Sequence, residues 1–397
     1  PAMGDDGFNY SDGYLNSGEI PSFKIYDGSS DATYDAETSD DIPWNENGSY
    51  TLDYISGFSE VSFSIDLHYG ANLISFYALP EDASLLNIFS DIQSDIVSII
   101  GEGVASSPLP GTGDWIGNLN EIDYSDGYWV KMAYPNILDV SGQLTDSDIV
   151  YDLHYGANLI SYPFQGSATL SSTIPEEIWP NILSIIGEGE AASYTEDYGW
   201  VGNLSSLQGK RGYWFKVNQG FEFNFLGSEE LSREIYSDNR PKQLDGYEFT
   251  QSTRQSFYFI ESIEGVEEGD WILAYNDNVL VGARSWAGVY TDVPAMGYDQ
   301  DLNTAGYCEN GDALTFKLLK SSSDEVFDLI GSNIPTWENN EIHMVSYLSV
   351  DYGSFISGFD LNEVYPNPFN PSTTINFTVS GENVYLNISI YDMQGRE

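Results

Sequence analysis

The chain has 397 residues, 13 Lys and Arg against 62 Asp and Glu, a formal net charge of −49, and 41% hydrophobic residues. That length is a prior for roughly two to four domains of about 100–200 residues, and the apolar fraction is enough to build their cores. So negative a field repels phosphate backbones and anionic lipid, which argues against nucleic-acid and membrane-surface binding; it suits a salty medium, where screening over about 8 Å tames self-repulsion.

Aromatic residues make up 15% of the chain, with 29 Tyr and 9 Trp, a composition typical of β-rich extracellular modules. The single cysteine, Cys308, cannot form an internal disulfide and reads as a small buried hydrophobe. No apolar run approaches the roughly 18 residues of a membrane span, no secretory signal peptide is visible, and the first residue is not Met.

In chain order, Pro1-Ala2-Met3-Gly4 recurs as Pro294-Ala295-Met296-Gly297, an offset of 293. The match continues through Gly13-Tyr14 with Gly306-Tyr307 and Phe23-Lys24 with Phe316-Lys317, and Ile42-Pro43-Trp44 parallels Ile334-Pro335-Thr336-Trp337. The second occurrence is preceded by about fifty residues that form a natural first half. Residues 1–58 therefore read as the C-terminal half of a β-sandwich-like domain, and 247–355 as its complete copy.

Between them lies a tandem duplication. Asp66-Leu67-His68-Tyr69-Gly70-Ala71-Asn72-Leu73-Ile74-Ser75 recurs without change from Asp152 to Ser161, at an offset of 86. The offset holds to Ile99-Ile100-Gly101-Glu102-Gly103 against Ile185-Ile186-Gly187-Glu188-Gly189, then becomes 85 for Gly127-Tyr128-Trp129 against Gly212-Tyr213-Trp214. The repeat defines module 1 (59–150) and module 2 (151–228). Alternation at Val61, Phe63, Ile65 and Leu67, and at Ile149, Tyr151 and Leu153, predicts strands, with Gly70 and Gly156 at turns. Leu85, Ile88, Phe89, Ile92 and Ile96 fall at helical spacing and predict a helix capped by Asp82 or Ser84. In module 2, Pro175 occupies a first helical position and Pro180 keeps the helix short.

Residues 229–246 read as a linker. In the complete copy, Trp271–Tyr275 and Val279–Ala283 around Asn276-Asp277-Asn278 predict a hairpin, and a β-sandwich is the economical architecture. The expected class is mainly β: tandem β-rich modules, each with one short helix, plus β-sandwich-like domains.

Residues 356–397 end the chain. Tyr365-Pro366-Asn367-Pro368-Phe369-Asn370-Pro371-Ser372-Thr373-Thr374-Ile375 holds the backbone extended through its prolines. Alternating strands follow, then Ile390-Tyr391-Asp392-Met393-Gln394-Gly395-Arg396. This pattern resembles the C-terminal sorting domain of type IX secretion substrates, and equally the related Ig-like domain of flagellar hook-capping proteins. Tyr365 to Glu397 covers only the first third of such a domain, so the chain reads as a piece that starts and stops inside domains. The duplicated modules look like those found upstream of such sorting domains in secreted proteins of aquatic bacteria. The resemblance implies an extracellular or outer-membrane-surface address in a Gram-negative bacterium, with the secretion machinery as partner.

Candidate chemistry is sparse. His68, His154 and His343 lack the spacing of a zinc site. No Gly-x-Ser-x-Gly elbow or phosphate-binding loop is present. Gly187-x-Gly189-x-x-Ala192 superficially fits a dinucleotide loop, but Glu188 and Glu190 would repel a pyrophosphate and no helix pattern follows. Asp6, Glu19, Asp299, Asp301, Asn303 and Asp312 lie in acidic loops of a kind that supplies oxygen ligands to calcium. Trp115, Trp129, Trp200 and Trp214 recur between the modules and are candidates for stacking on sugars, the alternative being shared core. Tyr128 and Trp129 are adjacent on a strand and face opposite sides, so one ring of each such pair is expected to meet solvent.

These features predict a non-catalytic, structural or adhesive segment of an exported protein with no cofactor unless calcium, meeting polysaccharide or other surface proteins. The alternative is a glycan-binding appendage of a polysaccharide-degrading enzyme whose catalytic domain lies outside the segment.

Overall fold

The computed structural model describes residues 2–27, 32–57, 60–145, 149–227 and 243–351, and the backbone of two further strands near the C-terminus. The protein is mainly β, with mostly antiparallel sheets and short helices of one or two turns. Residues 2–57 contribute one sheet of β1 (Phe23–Asp27), β2 (Ala32–Thr38) and β3 (Ile55–Gly57).

Module 1 opens on β4 (Glu60–Leu67), where Phe63, Ile65 and Leu67 point inward on alternate residues. Gly70, at φ 89°, turns the chain into β5 (Gly70–Ile74), a conformation that L side chains rarely adopt. There follow β6 (Ala78–Leu79), α1 (Leu85–Ile88), β7 (Ile96–Gly101), β8 (Val104–Pro108), β9 (Trp115–Gly117), β10 (Tyr128–Met132) and β11 (Asn136–Leu144). One sheet runs β5-β10-β7-β8-β9 and the other β4-β11-β6, and both contribute to a core containing Phe63, Phe76, Phe89, Ile99 and Tyr128.

Module 2 contains β12 (Tyr151–Leu153), β13 (Gly156–Ser161), β14 (Ser167–Thr169), α2 (Leu170–Thr173), β15 (Ile182–Ile186), β16 (Ala191–Thr195), β17 (Gly199–Val201), β18 (Ser206–Gln208), β19 (Gly212–Val217) and β20 (Phe221–Phe223). Its main sheet, β13-β19-β15-β16-β17, repeats the strand order of the first module strand for strand.

The helices are shorter than their spacing suggests. In module 1 the apolar run is one α-turn, a 3-10 turn at Gln93–Asp95, and then β7, which begins at Ile96. Leu85, Ile88, Phe89, Ile92 and Ile96 all enter one core, so consecutive turns satisfy the pattern without a continuous helix. Ser84 is the N-cap, its hydroxyl accepting from the Asn87 N–H at 3.3 Å. In module 2, Pro175 caps a 3-10 helix (Glu176–Asn181) that contains Pro180, rather than beginning an α-helix.

Residues 243–351 form two sheets. Their strands are β21 (Gln255–Ile260), β22 (Trp271–Asn276), β23 (Val279–Ser285), β24 (Thr291–Met296), β25 (Leu314–Leu319), β26 (Val326–Ile330), β27 (Ile342–Val345) and β28 (Ser349–Val350). The sheets run β24-β21-β27 and β23-β22-β25-β26-β28, and Tyr258, Ile272, Phe316 and Trp337 share their core. The expected hairpin is β22–β23, with Asp277 at φ 51° in its turn. Near the C-terminus β29 (Asp360–Tyr365) pairs antiparallel with β30 (Thr374–Thr378). The strand expected over Val384–Ile390, and the linker as far as residue 242, lie outside the described residues.

Within each module a buried asparagine braces the repeated turn. The Asn72 carboxamide accepts from His68 N–H at 2.8 Å and donates to the carbonyls of His68, Gly70 and Val130. Asn158 makes the same four contacts with His154, Gly156 and Phe215. Removing the amide strands buried backbone groups, which costs about 1–3 kcal/mol each. Asn72→Ala and Asn158→Ala should therefore each lower stability in urea unfolding by at least about 1 kcal/mol.

Candidate functional site

The repeated motif meets its sister module across a reciprocal seam. His68 Nε2 lies 2.8 Å from Glu188 Oε1, and the Leu73 N–H donates to the other oxygen of Glu188 at 2.8 Å. In mirror fashion, His154 Nε2 lies 2.5 Å from Glu102 Oε1, and the Leu159 N–H donates to Glu102 Oε2 at 2.8 Å. Each glutamate sits at the tip of a hairpin, β7–β8 or β15–β16. β5 and β13 are the edge strands of their sheets, so these carboxylates cap backbone donors that pairing within the sheet leaves open. Further along, the Ser75 N–H donates to Lys210 O and the Ser161 N–H to Ser125 O, both at 3.0 Å.

Gly127 and Gly212 permit this closeness. A Cβ at Gly127 would come 3.0 Å from Ile160 O and 3.2 Å from the Gly212 Cα. Ala71, Leu73, Trp129 and Leu159, with Ile100 and Trp214, form an apolar cluster along the seam.

Both nitrogens of each histidine face acceptors. Nδ1 of His68 and of His154 approaches the carbonyl of the next residue, at 2.6 and 2.9 Å, while Nε2 faces the glutamate. The bridge is therefore complete when the ring carries two protons. For His154, the Tyr155 carbonyl first and Glu102 second raise the pKa above its ordinary value.

A second seam joins module 2 to residues 243–351. The Gln255 carboxamide donates to Gly187 O at 2.7 Å and accepts from the Gly189 N–H, and the Arg284 guanidinium donates to Gly189 O at 2.5 Å. Asp292 accepts from the Ala191 N–H at 2.9 Å, while Ile186, Ala191, Phe257 and Phe259 close the apolar part. Burial pushes Asp292 up to about 6 despite Arg284. It pushes Glu190, paired with Arg211 at 3.1 Å, up to about 7. A cavity of ≈ 280 Å³ opens where module 1, module 2 and residues 243–351 meet, lined by His68, Tyr69, Glu188, Gln251 and Arg284 among others. Among the described residues that line it, Glu188 is the one carboxylate.

The structure distributes the acidic candidates among hydrogen bonds and ion pairs. Lys131 of β10 reaches Asp299 at 3.0 Å and Asp301 at 3.4 Å, so an ammonium stands where a bound cation would be needed. Burial would raise Asp299, but bonds from Thr304 and Lys131 outweigh it and leave the carboxyl below its usual range. Asn303 donates to Asp301 and to the Tyr69 hydroxyl, and Asp312 accepts from the Glu309 N–H. In the other copy Asp6 accepts from Ser11 and Tyr10, and Glu19 from Asn16. Among the described residues no three His, Cys, Asp or Glu gather as a metal site.

The tryptophans are shared core or seam. Trp129 is 2% exposed, because the sheet face expected to meet solvent is covered by module 2. Trp214 lies on the same seam, and Trp115 packs on the module 1 core beside Phe89. Trp200 belongs to a half-buried trio with Trp179 and Tyr194, whose rings are tilted by 52–71° to one another rather than set in a coplanar row. His343 is partly buried beside Tyr258.

The seam residues Glu102 and Glu188 were readable as a clue, since His and Glu both recur at the same offset. Gln255, Arg284 and Asp292 lie outside the repeated stretches and left no such trace.

Comparison with known proteins adds the cellular address. Residues 363–397 match the secretion system C-terminal sorting domain. This sorting tail is of the type IX kind and indicates a secreted protein, exported by that system to the medium or the cell surface of a Bacteroidetes-type Gram-negative bacterium. The tail implies contact with the secretion machinery. No curated protein and no solved structure matches the chain significantly. Among the described residues of this secreted chain, no helix is long and apolar enough to cross a membrane.

Two outcomes follow from the seams. Glu188→Ala leaves the buried Leu73 N–H uncapped and should cost about 1–3 kcal/mol, whereas Glu102→Ala, at the more exposed pair, should cost less than about 1 kcal/mol. Amide exchange at Leu73 and Leu159 reads each loss separately. The second concerns pH. Glu190 has a folded pKa of about 7 against an ordinary 4.5, so the folded state holds its proton more tightly. Its favourable contribution is complete below about 4.5 and is lost as pH rises through about 7. The difference in Tm between Glu190→Gln and the unsubstituted chain should therefore shift in favour of Gln from pH 5 to pH 8.

Proposed function

We propose that residues 2–351 are a non-catalytic, structural or adhesive arm of an exported protein, displayed at or released from the outer-membrane surface. The observation that carries this reading is the employment of the polar side chains. His68, His154, Glu102, Glu188, Gln255, Arg284, Asp292 and Lys131, the residues best able to do chemistry, each bridge one unit to another. Seams of this kind hold successive modules in fixed relation, as a spacer requires, and leave little reactive machinery free. The acidic surface keeps such an arm soluble and resistant to self-association in a salty medium.

The glycan-binding reading would need an aromatic platform, and the tilted Trp179–Tyr194–Trp200 trio is the nearest approach to one. A polysaccharide array probed with the whole chain tests the choice. The arm gives no signal on any glycan; binding that is lost in Trp179→Ala and Trp200→Ala would replace this reading with that of a glycan-binding accessory module.

A further inference from the structure

Lys131 lies on β10 and Asp299 in the loop after β24, so the ion pair between them joins module 1 to residues 243–351. Its Nζ stands 3.0 Å from Asp299 Oδ2 and 3.4 Å from Asp301 Oδ2, and the Lys131 and Asp299 side chains are 10% and 2% exposed. An amine and a carboxyl held this close, with water kept out, have the approach of about 3–3.5 Å that an intramolecular condensation needs. The two oxygens of Asp299 are held differently. Oδ1 accepts from the Thr304 hydroxyl at 2.8 Å and from the Asp301 N–H at 3.3 Å, donors placed to stabilise charge on that oxygen as a nucleophile adds to Cγ. Oδ2 faces Lys131 and accepts from the Thr253 N–H at 3.2 Å. The Asp301 carboxylate reaches the same ammonium, a base in position to take its proton.

We propose that Lys131 and Asp299 condense to an amide that staples module 1 to residues 243–351, with Asp301 as the proton carrier. The step needs no co-reactant. Asp301 takes a proton from the ammonium, and the freed lone pair of Nζ forms a bond to Asp299 Cγ. The Cγ–Oδ2 bond then breaks, and Oδ2 leaves as water with two of the three ammonium protons, one of them returned by Asp301. The third proton stays on the amide nitrogen, and one positive and one negative charge vanish together. Hydrogen bonds hold Asp299 ionised, so both protons of the water come from Lys131. This inference does not rest on the function proposed above.

Other lysines that meet carboxylates lack one part of the arrangement. Lys216, at the position of Lys131 in module 2, pairs with Glu341 alone among the described residues, and the two side chains are 23% and 32% exposed. Lys320 meets Asp270 and Glu267, but its three protons are taken up by Gly265 O, Glu267 and Asp270, and Glu267 is 70% exposed. The bonds to Asp270 first and Glu267 second raise the Lys320 pKa and hold its ammonium charged. The Lys24–Asp35 and Lys317–Asp328 pairs lie nearer the surface.

Mass spectrometry of the purified full chain tests the proposal. The intact mass should fall one water short of the sequence mass, and tryptic digestion should yield a branched peptide joining Lys131 to the segment that contains Asp299. Lys131→Arg keeps the positive charge but cannot form this amide, and should restore the full mass. Asp301→Asn should slow joining by about 100-fold, read as the branched fraction against time after synthesis. Lys216 and Lys320 should be recovered in unbranched peptides throughout. A mass equal to that of the sequence, with trypsin cutting after Lys131 as at any lysine, would overturn the proposal. So would a lost water that persists in Lys131→Arg, because the dehydration would then lie elsewhere in the chain.

Discussion

An unpaired β edge in water is a row of donors and acceptors looking for another chain, and the architecture of this protein follows from how its edges are closed. At β5 and β13 the sister module does the closing, with a carboxylate on one N–H and a carbonyl on the next. The arrangement needs glycine at the point of closest approach, a histidine to hold the far oxygen of the carboxylate, and a buried asparagine to keep the turn in shape. Of these, the histidine and the asparagine lie in the ten residues that the two modules share without change, and the glycine lies in the later shared Gly-Tyr-Trp.

The same economy explains how so acidic a chain folds. Sixty-two carboxylates are a liability for a compact state. Several of those that enter the interior do so at seams, where they replace a missing strand partner or meet one of only 13 basic side chains. Burial raises Glu190 to about 7 and Asp292 to about 6, while Lys131 offsets Asp299 and Asp301. Glu190, Asp292 and His154 all hold their protons more tightly when folded. Their linkage therefore has one sign, and mildly acidic conditions strengthen both seams.

Much of this is legible in the amino-acid sequence. The period-two alternation of Phe63, Ile65 and Leu67 placed a strand, and the glycine after His68-Tyr69 placed a turn. The run Leu85–Ile96 misled because helical spacing states only that residues share a face, and a string of tight turns can present the same face to a core. The tryptophans could not be assigned from sequence. Trp129 faces away from Tyr128 as the pleat demands, but whether that side meets water depends on Leu159 and Trp214 of the next module. The acidic loop at Asp299–Asn303 pointed to a cation, and the one it meets is Lys131, a side chain from another module. Long-range pairing of this kind leaves no local signal.

The reciprocity of the first seam has an ancestral meaning. A single module bearing both the His-Leu half and the Glu half of the contact is complementary to itself, and a surface complementary to itself closes as a two-fold dimer. The tandem chain has the geometry of such a homodimer joined into one polypeptide. Fusion frees the halves to diverge wherever the contact uses only backbone. Position 126 is Asp in one half and its counterpart 211 is Arg in the other, yet each forms the same bridge, to Ile160 and to Ile74. Arg211 pairs with Glu190, whose counterpart in the first half is Val104.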